Sequence, residues 1–161
     1  MTLRSLSLLL MATLSAACSR MNAPGFPPPA RPAVLVPSDY ETTFHSIARF
    51  IESRGMPVLQ EDASFGSIQT DWVYWGPGEV DLEAMADCDL GEGSVPMRTR
   101  ARFGFEVRRR ANRASVMILT QWQAERHAGF DDSDRGFVDC RSTGEWERMI
   151  EQTLTQRGTI R

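Results

Sequence analysis

The chain is short of the residues that most often carry catalysis or hold metals. It has three cysteines, and His45 and His127 are its only histidines. No CxxC, HExxH or CxxCH pattern occurs, which argues against zinc, iron–sulfur and haem frameworks. There is no GxSxG elbow, no P-loop and no GxGxxG turn. Positive charge is not in excess either: the formal net charge is −3, the wrong sign for nonspecific nucleic-acid binding. Composition therefore gives no reason to expect a metal, a cofactor, a nucleic-acid partner or a catalytic residue. At 161 residues there is room for one modest domain and a tail.

The N-terminus reads as an address. Its apolar run, Leu6 to Leu14, is too short to span a bilayer as a mature helix. Arg4 precedes it, and Ser15, Ala16 and Ala17 lead from it into Cys18, which is the anatomy of a secretory signal peptide. The segment Leu14-Ser15-Ala16-Ala17-Cys18 resembles the lipobox of bacterial lipoproteins. That resemblance implies that residues 1–17 are removed, that the Cys18 thiol is diacylated and that its new amine is acylated; an ordinary cleaved secretory peptide with an incidental cysteine is the alternative. Ser19, where an Asp would retain the protein at the inner membrane, resembles lipoproteins forwarded to the outer membrane, facing the periplasm. Residues 18–37 hold most of the prolines, four of them in Gly25-Phe26-Pro27-Pro28-Pro29-Ala30-Arg31-Pro32, and read as an extended tether between lipid and domain.

With Cys18 given to lipid, Cys88 and Cys140 remain as an even pair in an oxidising compartment. A disulfide between them is the leading reading, closing a loop of roughly 50 residues and stabilising by about 4 kcal/mol on the chain-entropy account. Two unpaired thiols are the alternative.

Residues 38–161 read as one α+β domain. Ser38 and Glu41 have capping-box spacing, Tyr40, Phe44, Ile47, Ala48 and Ile51 follow at helical steps, and Gly55 stands past the end. Ser142 and Glu145 repeat the spacing before Trp146, Met149, Ile150 and Leu154, with Gly158 at the exit. Between these helices the period is two. A first hairpin joins Pro57–Asp62 to Ser67–Trp75, placing Ile68, Thr70, Trp72 and Tyr74 on one face. A second turns at Ala111-Asn112 and sets Val107 opposite Val116, Phe105 opposite Ile118, Phe103 opposite Thr120 and Ala101 opposite Trp122. Its other face pairs Arg98 with Glu125, Arg100 with Gln123 and Arg102 with Gln121. The expected fold is an antiparallel four-stranded sheet with two helices packed on one face, in the order α-β-β-β-β-α. Residues 76–96 interrupt it, with a turn of helix at Leu82–Ala86.

Three groups of residues invite a functional reading. Asp131, Asp132 and Asp134 before Gly136 have the look of a calcium loop, but no closing bidentate Glu follows, and they read as solvated. Glu79, Asp81, Glu83, Asp87 and Asp89 lack a nearby nucleophile and nothing predicts their burial. Arg108, Arg109, Arg110 and Arg113 crowd the second hairpin turn. They read either as a solvated rim or as a partner-binding patch for phosphate, lipid headgroups or an acidic protein. Met117 and Leu119 land on the polar face beside them: either a loop covers them or they join that patch.

The run from Phe44 to Trp75 resembles the helix-grip domain of BamC-like lipoproteins, accessories of the outer-membrane β-barrel assembly machinery. The family strand reads roughly G-x-I-x-T-D-W, here Gly66, Ile68, Thr70, Asp71 and Trp72. Its members typically carry two such domains behind a long arm, where this chain has one behind a short tether. The resemblance implies a non-catalytic interaction module with an envelope protein partner of the assembly type, in which Thr70 and Trp72 specify the fold. A lipoprotein binding a lipid or small ligand is the alternative, with Trp72, Phe103, Phe105 and Trp122 lining the site. Either way, Cys18→Ala is expected to leave the outer-membrane fraction, and intact-mass analysis to show loss of the acyl mass.

Overall fold

The computed structural model describes residues 25–90, 96–126 and 136–156. It is α+β, with eight strands in one sheet and three helices. In chain order these are β1 (Val34–Val36), α1 (Tyr40–Ser53), β2 (Val58–Asp62), β3 (Ser67–Thr70), β4 (Val73–Trp75) and α2 (Leu82–Met85). Then come β5 (Ala86–Asp87), β6 (Thr99–Arg110), β7 (Arg113–Arg126), β8 (Gly136–Ser142) and α3 (Glu145–Gln156).

The β6–β7 hairpin forms in the expected register, with Val107 opposite Val116 and Ala101 opposite Trp122. Ala111 takes the left-handed conformation at the turn, φ 54°, as a two-residue hairpin of this hand requires. Everything else is added to these two strands. β3 and β4 pair with β6, β2 pairs with β3, β1 and β8 pair with opposite ends of β7, and β5 closes the far edge on β8. Every pairing is antiparallel.

The expected four-stranded, two-helix layout is therefore too small. Four strands of the expected hairpins are present, but β1, β5 and β8 join them, and one expected strand is split into β3 and β4. The split has a local cause. The Asp71 N–H donates to Pro57 O at 2.8 Å and the Trp72 N–H to the Asp71 carboxylate at 2.7 Å, so both leave the ladder. The register on β6 slips by one residue across the break, from Gln69 opposite Gly104 to Val73 opposite Ala101. A one-residue slip exchanges faces: Ile68 and Thr70 point inward, but beyond the break Val73 and Trp75 do so, while Trp72 and Tyr74 turn to the outer face. The tether also shortens. Val34–Val36 is a strand and Val36 lies in the core, so the packed region begins before Ser38.

The inner face of the sheet is apolar. Phe103, Phe105, Ile118 and Trp122 are buried there against Phe44, Ile47 and Ile51 of α1 and Ile150 and Leu154 of α3. Trp122 and Trp146 meet edge to face at 6.2 Å, while Phe103 stacks on Trp146 at 4.9 Å. Thr70 is fully buried, and its hydroxyl accepts the Phe103 N–H at 2.9 Å. Gly66, φ 71°, is irreplaceable locally: a Cβ there would stand 2.1 Å from Val107 O.

Helix starts differ from expectation by one or two residues. Asp39, not Ser38, caps α1, its carboxylate accepting the Thr42 N–H at 2.9 Å. The ionised carboxylate is a stronger acceptor for an orphan N–H than a serine hydroxyl. Ser142 ends β8 instead of capping α3, whose first turn is held by Gly144 O accepting from Arg148 N. The Gly158 exit lies outside the described residues.

Three carboxylates are held below their usual range by such local bonds: Asp39 by the backbone N–H and hydroxyl of Thr42, Asp62 by the Ser64 hydroxyl and the Phe65 N–H, and Glu145 by Arg148. A carboxylate with a depressed folded pKa adds stability above the unfolded value that is lost as pH falls through the folded one. Thermal stability should fall as pH drops below about 4. In Asp39→Asn/Asp62→Asn, which keeps the side-chain acceptors but removes the titration, the melting temperature should fall less steeply.

Candidate interaction surfaces

The residues expected to bind a partner do not form one patch. Arg108, Arg110 and Arg113 are exposed on the outer face at the β6–β7 turn, Arg110 opposite Arg113. Arg108 also pairs with Glu106 at 2.9 Å. Arg109 points the other way: it bonds Glu41 of α1 at 2.7 Å and lies over the Tyr40 ring at 4.1 Å. Met117 is half-buried and Leu119 is 4% exposed. The cover is the proline-rich segment, whose Phe26 ring would lie 3.2 Å from a Cβ at Gly104, beside Leu119. Glycine at 104 is what admits the ring. Cys18, His127 and the Asp131–Asp134 cluster lie outside the described residues.

That segment crosses from one side of the sheet to the other. Arg102 donates to Gly25 O on the outer face. Six residues on, Arg31 grips Glu151 of α3 with two N–H groups at 3.0 and 3.1 Å and packs over Gly144. The crossing fits the β7 edge, where β1 covers Ala114–Val116 and β8 covers Trp122–Arg126.

The outer face carries an arginine–aromatic ladder that sequence reasoning placed only in part. The Arg100 guanidinium lies between Phe137 at 3.9 Å and Trp72 at 4.3 Å, and Arg102 between Phe26 at 4.9 Å and Trp72 at 5.1 Å. Arg100 and Arg102 each donate Nε–H at 2.7 Å, to Gln123 and Gln121, and both amides donate to Asp139 of β8. Stacking on ring faces satisfies the guanidinium planes while the in-plane N–H groups bond sideways. The cross-strand pairs were legible in the register. Trp72 and Phe137 are not, because the bulge turns one and the other lies on β8, a strand defined by its pairing with β7.

Cys88 and Cys140 are bonded, 52 residues apart in sequence. The bond ties the 76–90 segment to β8 beside the β5–β8 pair. An open groove of about 500 Å³ lies along that segment, lined by Val80, Leu82, Leu90 and Pro96 with Asp81 and Asp87. The four aromatics expected to line a ligand site do not share one: Phe103, Phe105 and Trp122 are packed inside, and Trp72 is outside.

Glu147 was not singled out from sequence and is completely buried. It accepts from Thr120 Oγ1 at 2.6 Å and from Ser142 Oγ at 2.9 Å. It sits in the first turn of α3. The bonds pin α3 to both β7 and β8, a structural role. Among the described residues no cluster of ligating side chains fit for a metal is present.

Removing the Cys88–Cys140 bond should destabilise the fold by about 4 kcal/mol on the chain-entropy account. Denaturant midpoints of the native protein and of Cys88→Ser/Cys140→Ser measure the difference; equal midpoints would show that the bond contributes nothing.

No family model matches the chain and no curated protein sequence matches it, so what these surfaces do has to be read from their geometry.

Proposed function

We propose that the chain is an outer-membrane-anchored lipoprotein acting as a non-catalytic interaction module, of the kind that assists β-barrel assembly in the BamC-like family. The observation that carries the interaction role is the free edge of the sheet. Among the described residues β2 pairs only with β3, and its Val58 and Leu59 are 47% and 60% exposed. Leu59 sits where the β2–β3 ladder is irregular, so its side chain stands away from the regular pairing. Val58 opens onto a groove shared with Ala48, Arg49 and Glu52 of α1 and Glu61 of β2. Apolar side chains beside charged ones at an uncovered edge are what a protein partner can bury. The anchor at Cys18 and the outer-membrane address rest on the lipobox resemblance alone.

A second reading, a lipid or small-ligand carrier, has the groove along 76–90 behind it. Its half-polar, open form suits a small polar ligand better than an acyl chain.

The test is paired co-purification from detergent-solubilised envelopes. A discrete partner should be retained by the native protein and lost from Leu59→Lys, a substitution at an exposed position that leaves the fold intact. Absence of any partner, or identical recovery with both proteins, would remove the edge from consideration.

A further inference from the structure

The outer face of the sheet differs in character from the rest of the molecule. All 18 basic residues of the chain are arginine, in a protein of net charge −3. Along β6 the outer positions are Arg100, Arg102, Gly104, Glu106, Arg108 and Arg110, four cations to one carboxylate. Arg98 and Arg141 extend the same face and are exposed. Among them stand Trp72, half-exposed Phe137 and Tyr74, which is 55% exposed. Arginine with Trp and Tyr is the composition that settles at the headgroup level of a bilayer, ring in the interface and guanidinium on phosphate. An acidic protein would satisfy the arginines, but it would not call for an aromatic girdle among them.

Chain length supplies the second argument. The described chain begins at Gly25, on the outer face beside Arg102. Seven peptide steps back is Cys18, a span of at most about 25 Å. A domain of this size has a radius of gyration of about 14 Å, so its diameter exceeds that reach. With Cys18 in the membrane, the side from which the chain emerges is the side turned toward the lipid. A helix-side approach would need the tether to pass around half the domain.

We propose that the outer sheet face, bearing Trp72, Tyr74 and Phe137 with the exposed Arg98 and Arg141, rests on the surface of an anionic phospholipid bilayer. The orientation argument rests on acylation of Cys18; the arginine and aromatic chemistry of the face does not. Arg100 and Arg102, already held by stacking and by glutamine, form a rigid platform. Arg98 and Arg141 have no such ties among the described residues and are the groups free to meet phosphate.

The experiment uses the full chain carrying Cys18→Ala, so that no acyl group contributes, with co-sedimentation on vesicles of phosphatidylcholine alone or with phosphatidylglycerol. Binding to neutral vesicles reports the apolar N-terminal run and is the background. The anionic vesicles should bind more protein, and the excess should fall as salt is raised. Arg98→Glu/Arg141→Glu should weaken the excess by about tenfold or more, since each basic group at such a surface contributes several-fold. Arg49→Glu, an exposed reversal on α1, should weaken it far less. Equal binding to both vesicle types would overturn the proposal, as would equal losses from the two faces. Failure of the anchor reading shows elsewhere, as native protein that carries no acyl mass, and leaves this vesicle result standing.

Discussion

From Thr99 to Ala124 the chain pairs with itself at twelve consecutive positions in one register, turning at Ala111 and Asn112. Each strand offers alternate residues to opposite faces, so this register decides two surfaces at once. Shifted by one residue, Phe103 and Phe105 would meet water and the arginines would enter the core, an exchange no packing elsewhere could offset. β3 and β4 are placed by pairing with β6, and β1 and β8 by pairing with β7. The helices then lie where the apolar face is, and the arginine ladder where it is not. The hairpin is local in sequence, so its ends meet with little loop-closure cost before distant strands must be recruited.

This dependence explains which features could be read from residues alone. A two-residue turn forces paired positions to a constant sum, so both faces of β6 and β7 follow once Ala111-Asn112 is chosen. The helices were legible because an apolar stripe at three- and four-residue steps has few other uses. What escaped was set by contacts distant in sequence or by a single hydrogen bond. The bulge at Asp71–Trp72 depends on the Pro57 carbonyl, which no alternation pattern reports. β8 alternates faintly, but Asp139 and Arg141 beside Cys140 look like a loop until β7 is there to pair with. β1 is three residues long and follows a run of prolines. Glu147 is a charged residue on a helix with an apolar stripe, and only Thr120 and Ser142 from two strands make its burial affordable.

The outer-face ladder shows how a sheet can carry many arginines without leaving them adrift. Long cationic side chains side by side repel and lose rotamer freedom when ordered. Here two guanidinium planes share Trp72, while Phe137 and Phe26 close the stack from either end, and Gln121 and Gln123 pass their amides on to Asp139. Phe26 belongs to the segment nearest the N-terminus, so the ladder and the strap hold one another in place. The same strap ends at Arg31 on α3, so it fastens the helix layer to the sheet from outside the core.

β2 and β5, the two ends of the main strand order, are treated differently. β5 is two residues long and is followed at once by the Cys88–Cys140 bond. A short strand beside a covalent staple offers few unpaired backbone groups and little freedom to rearrange. β2 is five residues long, exposed almost throughout, and acidic toward its end at Glu61 and Asp62. Those charges, and the irregular pairing at Leu59, discourage indiscriminate strand addition without covering the apolar side chains. β2 is thus charged at one end and apolar at the other, whereas β5 is short and stapled. The disulfide closes the β5 edge, and the strap crosses only the part of the outer face around Phe26 and Arg102, leaving Tyr74, Arg98 and Arg141 exposed there. Among the described residues β2 is the longest strand with a single partner, and its Val58 and Leu59 stay exposed.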